Sequence, residues 1–360
     1  MRHLYLFCLL FSLFTAPCLL TEARAAEQDT LTFRIVSYNV ENLFDCRHDS
    51  LKEDYEFLPT SPRRWTYSKY RRKLDDLART IIATGGWTPP ALVALCEVEN
   101  DTVLRDLTRR SLLREAGYRY LMTHSPDERG IDVALLYQPH LFKPIHWQGI
   151  RISTSTANYR PTRDLLHVCG LLLNLDTLDV FIAHLPSRSS GQKQSEPYRL
   201  IAAQRLKQAI DSICLRRIRP QIILMGDFND TPANRSVRQI LQVHVPPAVP
   251  HDPQPDALYH LLARHVGQKQ KPWRHAARGS YKYHGRWELL DHIIVSGHLL
   301  LPTSPLYTSE DMAGIAALPF LLEEDPKYGG HRPFRTYQGP KYLGGYSDHL
   351  PVYADFRLLY

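Results

Sequence analysis

Six stretches of this 360-residue chain carry polar groups that could do chemistry at the end of, or just beside, an apolar run. SYNVEN brings Asn39 and Glu41, ALCEVEN brings Glu97 and Glu99, and FIAHLPS brings His184. MGDFND brings Asp227, Asn229 and Asp230, LLDHIIV brings Asp291 and His292, and GYSDHLPV brings Asp348 and His349. Taken singly, each has a structural reading. An Asp or Asn after a strand is a turn former or a helix cap, and Glu99 and Asn100 read as caps for the TVLRDL helix. Several such ends in one chain point instead to a site, because reactive groups gather on the loops bordering a rigid sheet.

Carboxylates, amides and two histidines, without a thiol cluster or a Gly-rich cradle, suit hydrolysis of a phosphate ester. The phosphoryl group is anionic and repels a nucleophile, so a hard cation with oxygen ligands is needed to neutralise it. Oxygens such as those of Glu97 and Asn39 suit Mg²⁺ or Mn²⁺, whereas zinc would call for more His or Cys. A His paired with a carboxylate can deprotonate a water near neutral pH, and a second His can serve the leaving oxygen. Asp348 and His349 are chain neighbours, which in a strand point to opposite faces, so the partner of His349 is expected from another strand.

The elements that must position these groups alternate along the chain. LTFRIVSYNV, ALVALCEV, DVALLY, CGLLLNLD, DVFIAHL, QIILMGDF, ELLDHIIVS and PVYADF read as strands rich in branched and aromatic residues. Leu74, Leu77, Ala78, Ile81 and Ile82 form one helical stripe, and Leu206, Ala209, Ile210 and Ile213 another. No linker, repeat or low-complexity segment separates early from late motifs, so residues 26–360 read as one mixed α/β domain. Periodicity leaves strand direction open.

The amino terminus reads as a signal peptide, residues 1–25. A basic Met1-Arg2-His3 start precedes an apolar run over residues 4–20, and Ala23 and Ala25 occupy the small positions before a cleavage point. The expectation is an exported protein, periplasmic or secreted, beginning near Ala26 and without an integral span after processing. Pro17 and Ala16 fit the lipid-attachment signal at Cys18 poorly. The formal net charge is +7, and +6 once Arg2, Glu22 and Arg24 are removed. That suits a polyanionic partner but is spread in pairs rather than gathered in a patch. Cys46, Cys96, Cys169 and Cys214 have no metal-site spacing; export permits a disulfide without requiring one.

The ordered set YNVEN, CEVEN, RGIDVALLY, HLPS, GDFND, LDHIIVS and SDHLPV resembles the endonuclease/exonuclease/phosphatase superfamily over almost the whole mature chain. That resemblance implies a four-layer α/β sandwich of two packed, mostly antiparallel sheets flanked by helices. It implies metal ligands at Asn39, Glu97 and Asp348, with Glu97 foremost. Asp227 and Asn229 match the pair that orients the nucleophile and contacts the phosphate, and His349 a base or phosphate-binding His. His184 matches an acid or transition-state stabiliser, and Asp291 the Asp that orients a catalytic His. Base and acid among Asp227, His184 and His349 stay open, as branches differ. Cys96 stands where Gln is frequent. The stretch from about His298 to Gly345 lengthens the connection before the final SDH and is expected to be a substrate lid. Arg129, Arg163, Arg188, Arg332 and Arg335 are candidate phosphate contacts. The resemblance implies a phosphate-ester substrate, DNA or RNA first, with a small-molecule or lipid phosphate as the alternative. A non-catalytic binder that kept the fold is disfavoured by the intact motif set.

Overall fold

Which face of each segment is apolar decides how it packs, and here the central strands of the sheets are apolar on both faces. In the computed structural model the chain forms, in order, β1 (Thr30–Leu43), α1 (Tyr67–Gly85), β2 (Leu92–Val98), α2 (Asp101–Arg110), β3 (Arg119–Met122), β4 (Asp132–Tyr137) and β5 (Phe142–Ile150). Next come β6 (Leu165–Leu172), β7 (Thr177–His184), α3 (Gln192–Cys214), β8 (Ile222–Asp227), β9 (Leu258–His260), β10 (Tyr281–Tyr283), β11 (Arg286–Glu288) and β12 (Asp291–Ser296). The last strands are β13 (Leu306–Tyr307), β14 (Ala313–Ile315), β15 (Leu322–Glu324), β16 (His331–Pro333), β17 (Tyr337–Gln338), β18 (Lys341–Tyr342) and β19 (Val352–Leu359). The structure describes residues 29–153, 160–246, 253–266 and 277–360; the expected signal peptide, 1–25, lies outside them. Among the described residues no helix is long and apolar enough to cross a membrane.

Two sheets carry the fold. One runs β13-β19-β1-β2-β4-β3, with β14 also on β19; the other runs β5-β6-β7-β8-β12-β9. Within them β1/β2 and β7/β8 are parallel and the other pairs antiparallel. Alternation along each strand sends one set of side chains between the sheets and the other outward. Ile35 and Ala94 of the first sheet meet Val180, Met225 and Ile293 of the second in a shared core. Their chain neighbours face the helices: Val36 and Val93 pack with Leu74, Leu77 and Ile81 of α1 and Leu104 of α2. Phe181, Ala183 and Leu224 pack with Ala202, Leu206 and Ile210 of α3. The result is the expected helix–sheet–sheet–helix order. Both faces being covered explains the unbroken apolar runs, and truncating a fully buried Leu206 to Ala would cost about 2–5 kcal/mol.

Several elements differ from the sequence reading. β6 begins at Leu165 rather than Cys169, and the expected tail of that strand is a turn in which Asp176 N donates to Asn174 Oδ1 at 3.1 Å. β3 and β5 were not foreseen; β5 is an edge strand whose Ile145 and Trp147 are solvent-exposed, so it lacks a continuous apolar signal. Ile82 is half-exposed at the margin of the α1 stripe. The long 298–345 segment is not a lid. β13 and β14 extend the first sheet at β19, β15/β16 and β17/β18 form hairpins, and none of its residues lines the active-site cleft.

Candidate active site

Register brings the polar strand ends together. Parallel pairing sets Asn39 beside Cys96 and His184 beside Asp227, while antiparallel pairing sets Asp291 opposite Asp227. The first and last strands are neighbours, with Ser37 opposite Val352, which carries the loop bearing Asp348 and His349 to the end of β1. The amide of Asn39 then joins the sheets. Its Nδ2 donates to Glu97 Oε1 at 3.2 Å and to Asp227 Oδ2 at 2.9 Å.

Local backbone distortions aim these groups. The β1/β2 register breaks between Asn39 and Leu43, and the β2/β4 register between Cys96 and Val98. Such a bulge turns a side chain away from the regular pleat, here Glu97 into the cleft. Glu41, Asn42, Glu97 and Asn229 all have left-handed φ, 49°, 55°, 67° and 51°, each costing about 1–3 kcal/mol that the surroundings must offset. Hydrogen bonds do so: Glu41 N donates to Asn39 Oδ1 (3.0 Å), Asn42 N to Glu97 Oε2 (3.0 Å) and Asn229 N to Asp227 Oδ1 (2.8 Å). Gly226 permits the closest approach. At φ 137° a Cβ there would sit 1.9 Å from Ala183 O, so only glycine lets β7 and β8 bring His184 and Asp227 level.

His349 Nδ1 lies 2.7 Å from Asp291 Oδ2, so its partner does come from another strand, and its Nε2 is 3.8 Å from Asp227 Oδ2. Burial opposes charge on His349, but the Asp291 and Asp227 carboxylates outweigh it and hold the imidazole well above its ordinary value. His184 Nε2 is 3.7 Å from Asp227 Oδ2 and 3.9 Å from Glu97 Oε1. Burial, with Arg163 and Arg129 nearby, pushes His184 well below its ordinary value and keeps it neutral. Asp227 is raised to about 7, chiefly by burial, with His349 lowering it and Asp291 raising it. One neutral and one charged imidazole therefore flank a carboxyl poised near neutrality.

These groups open on an 830 Å³ cleft lined by Glu97, His184, Asp227, Asn229, Asp348 and His349 among others, with Asn39 and Asp291 buried behind. Asp348 accepts from Arg335 Nη2 at 3.0 Å, and Arg335 also reaches Glu41 Oε1 at 3.4 Å. Glu41 in turn accepts from Thr336 N (2.6 Å) and Tyr337 N (3.3 Å). The long segment thus buttresses the site from behind. Lys73, to which the sequence reading gave no role, completes the buttress by donating to Thr336 Oγ1 (2.6 Å) and to Tyr346 O. Burial lowers it to about 8 while Glu41 and Asp348 raise it. A lysine one residue from Leu74 on an apolar helix face was the available signal.

Of the five candidate arginines, Arg129 and Arg188 line the cleft. Arg163 is buried and held by Asp127 Oδ2 and Leu185 O, Arg332 pairs with Glu323 at 2.8 Å, and Arg335 belongs to the buttress. Asn100 caps α2 as expected, accepting from Thr102 N and Val103 N, but Glu99 accepts from Asp45 N at 2.7 Å and braces β1 instead. Asp230 is a loop anchor, taking Ser236 Oγ (2.6 Å) and Arg199 Nε (2.9 Å). Among the described residues Cys46, Cys96, Cys169 and Cys214 are free, and Cys96 is buried against Ala183 O.

Among the described residues no three His, Cys, Asp or Glu side chains form a closed metal cage. The open donors are carboxylates, Glu97 foremost, with Asp348 on the same cleft wall. That set fits a hard divalent ion that is held by one or two carboxylates and completes its shell with water and substrate oxygens.

Two packed, mostly antiparallel sheets between helices, with a His–Asp pair, a second His and carboxylates at one sheet edge, define a phosphoesterase of the four-layer sandwich class. A model of the Endonuclease/Exonuclease/phosphatase family matches residues 34–357, and the chain belongs to that family. Solved structures share the fold at low identity. An endonuclease/exonuclease/phosphatase family protein from Bacteroides thetaiotaomicron is 13% identical, with a TM-score of 0.55 over 92% of this chain and 96% of that one. A mannosyl-6-phosphatase of the same organism is 15% identical, with a TM-score of 0.56 over 90% and 99%. TDP2 of D. rerio, complexed with a single-strand DNA product, is 15% identical, with a TM-score of 0.50 over 90% and 98%. No curated protein sequence matches this chain.

Proposed function

We propose that this phosphoesterase hydrolyses phosphodiesters of nucleic acid with the help of Mg²⁺ or Mn²⁺, and that residues 26–360 do so as one exported unit. The observation that carries the reading is the crowding of Asp227 Oδ2 by Asn39 Nδ2 at 2.9 Å, His184 Nε2 at 3.7 Å and His349 Nε2 at 3.8 Å. A carboxyl raised to about 7 at that point can accept a proton from an attacking water. Asn39 holds the carboxyl in place. The imidazolium of His349, fixed by Asp291, offers Nε2 to a phosphoryl oxygen, and neutral His184 offers a second hydrogen bond that does not compete for the proton. Asn229 lies on the same wall to steady the phosphate. Water oxygen bonds to phosphorus, the ester P–O bond breaks, and the water proton goes to Asp227. A cation held by Glu97, with Asp348 and Asn39 beside it, would neutralise charge on the phosphate and the leaving oxygen.

The test is turnover of plasmid, single-stranded RNA, bis-p-nitrophenyl phosphate and phospholipid by purified protein, with and without EDTA. Nucleic acid should be cleaved, EDTA should abolish cleavage and excess Mg²⁺ or Mn²⁺ should restore it, whereas Glu97→Gln should be poorly rescued. Activity that survives exhaustive chelation would refute the metal. Hydrolysis of phospholipid or a small ester, with nucleic acid untouched, would refute the substrate.

A further inference from the structure

The hairpin β10/β11 beside the catalytic His349 is built to show rings rather than to bury them. Its two-residue turn, His284-Gly285, has φ of 47° and 79°, the left-handed pair that a tight hairpin needs. Pairing sets Tyr281 opposite Glu288 and Tyr283 opposite Arg286, so these four share one face, and they line the cleft. The opposite face is anchored. Lys282 pairs with Asp325 at 2.9 Å and donates to Gly329 O and His331 O, both at 3.0 Å. That anchor seats Tyr328 on Gly285, where a Cβ would stand 2.9 Å from the tyrosine Cβ.

The rings follow one another outward from the reaction centre. Tyr281 lies 4.8 Å from His349 between ring centres, and Tyr283 lies 6.5 Å from Tyr281 and tilted from it by only 13°. His284 is 4.2 Å from Tyr283, and Tyr328 is 6.0 Å from His284 at 24°. Tyr283 is 58% exposed and Tyr328 44% exposed, far from the near-zero exposure of rings that serve the core. Cations flank the file: Arg286 is exposed on the cleft face, Arg129 stands on the cleft wall, and Lys327 sits 5.0 Å over the Tyr328 ring.

We infer that Tyr281, Tyr283, His284 and Tyr328 form a stacking platform for unpaired bases of a single-stranded nucleic acid whose scissile phosphate lies at His349. The inference rests on the phosphodiesterase reading above and extends it to the form of the substrate. Exposed ring faces next to positive side chains are what a single strand requires, since its bases have free π-faces and its backbone needs cations. A duplex hides those faces within its own stack. The exposed rings of Tyr283, His284 and Tyr328 also offer more platforms than one sugar or inositol ring can occupy.

The test separates binding from chemistry. In EDTA, so that nothing turns over, fluorescence anisotropy compares a short oligothymidylate with an abasic phosphodiester strand of the same length and charge. The full protein should bind the base-bearing strand at least about 5-fold tighter, the gain of one good stack. Tyr283→Ala and Tyr328→Ala should each erode that preference, and Tyr283→Phe should keep it. Equal binding of the two strands, or of neither, would overturn the platform, as would a preference untouched by both alanine variants. Equal sensitivity of duplex binding to Tyr283→Ala would overturn the single-strand assignment. Cleavage is then measured separately with Mg²⁺ or Mn²⁺. Base preference without cleavage of either strand would support the platform and fail the hydrolytic reading; cleavage of both without base preference would do the reverse.

Discussion

Asp291→Asn is the most informative single change at this site. It keeps the shape of a side chain that is fully buried but removes the charge facing His349 Nδ1 at 2.7 Å. Alanine at His349 is a poorer probe. His349 and Asp227 close or border their apolar runs, yet they are only 7% and 2% exposed. Truncating His349 would strand the Asp291 carboxylate in a buried pocket, a loss of about 3–5 kcal/mol. In the Asn variant, what disappears is a hydrogen bond between charged groups, worth about 1.5–3 kcal/mol. If that bond serves the transition state, the rate should fall roughly 10- to 150-fold. Asp291 also raises His349, so any activity limb that follows the imidazolium should move to lower pH in the variant. The assay is kcat and kcat/KM for a phosphodiester across pH, with a urea titration to confirm that the fold survives. Asp291→Asn/His349→Ala should be no slower than His349→Ala alone, since residues acting as a unit are not additive. A variant within twofold of the parent at every pH, with an unmoved limb, would refute the orienting role.

Gly226→Ala should destabilise the protein by at least about 3 kcal/mol, because a side chain at φ 137° is strained and its Cβ would meet Ala183 O; a urea midpoint equal to the parent's would show that β7 and β8 can separate. His292 is buried against Phe228, bonds to His260 and Asp230 O, and is lowered by burial to about 4, against Asp230 and Asp291, which raise it. Above pH 6.5 it is neutral folded and unfolded; below that the unfolded chain takes a proton that the folded one refuses. Stability should therefore fall as pH drops from 6.5 toward 4, by about 3 kcal/mol from this residue, and urea midpoints should show a shallower decline in His292→Asn than in the parent. Export should leave a chain beginning at Ala26, read by amino-terminal sequencing; Met1 retained in the purified protein would count against cleavage.

Much of the chemistry is legible in the amino-acid sequence. Each reactive group closes or borders an apolar run, and the order NVEN, CEVEN, HLPS, GDFND, LDHIIVS, SDHLPV carried the family, its layered architecture and the residues that now line or back one cleft. Period-two and helical patterns are local, so they could be read from neighbours in the chain. What they encode is which face of a segment is buried. They do not encode which other segment buries it. That β1 lies beside β19, that Asn39 bridges to Asp227, and that Asp291 is the partner of His349 are outcomes of packing across 188 and 58 residues of chain in the two hydrogen-bonded cases. The bulge that turns Glu97 into the cleft is likewise invisible to a pattern that assumes a regular pleat. The edge strand β5, with one side in solvent, has too weak an apolar signal to be seen. The segment before SDHLPV reads as a lid from its length for a related reason. Its length was visible, but the buried contacts of Lys73, Glu41 and Arg335 that clamp it exist only once distant elements have met.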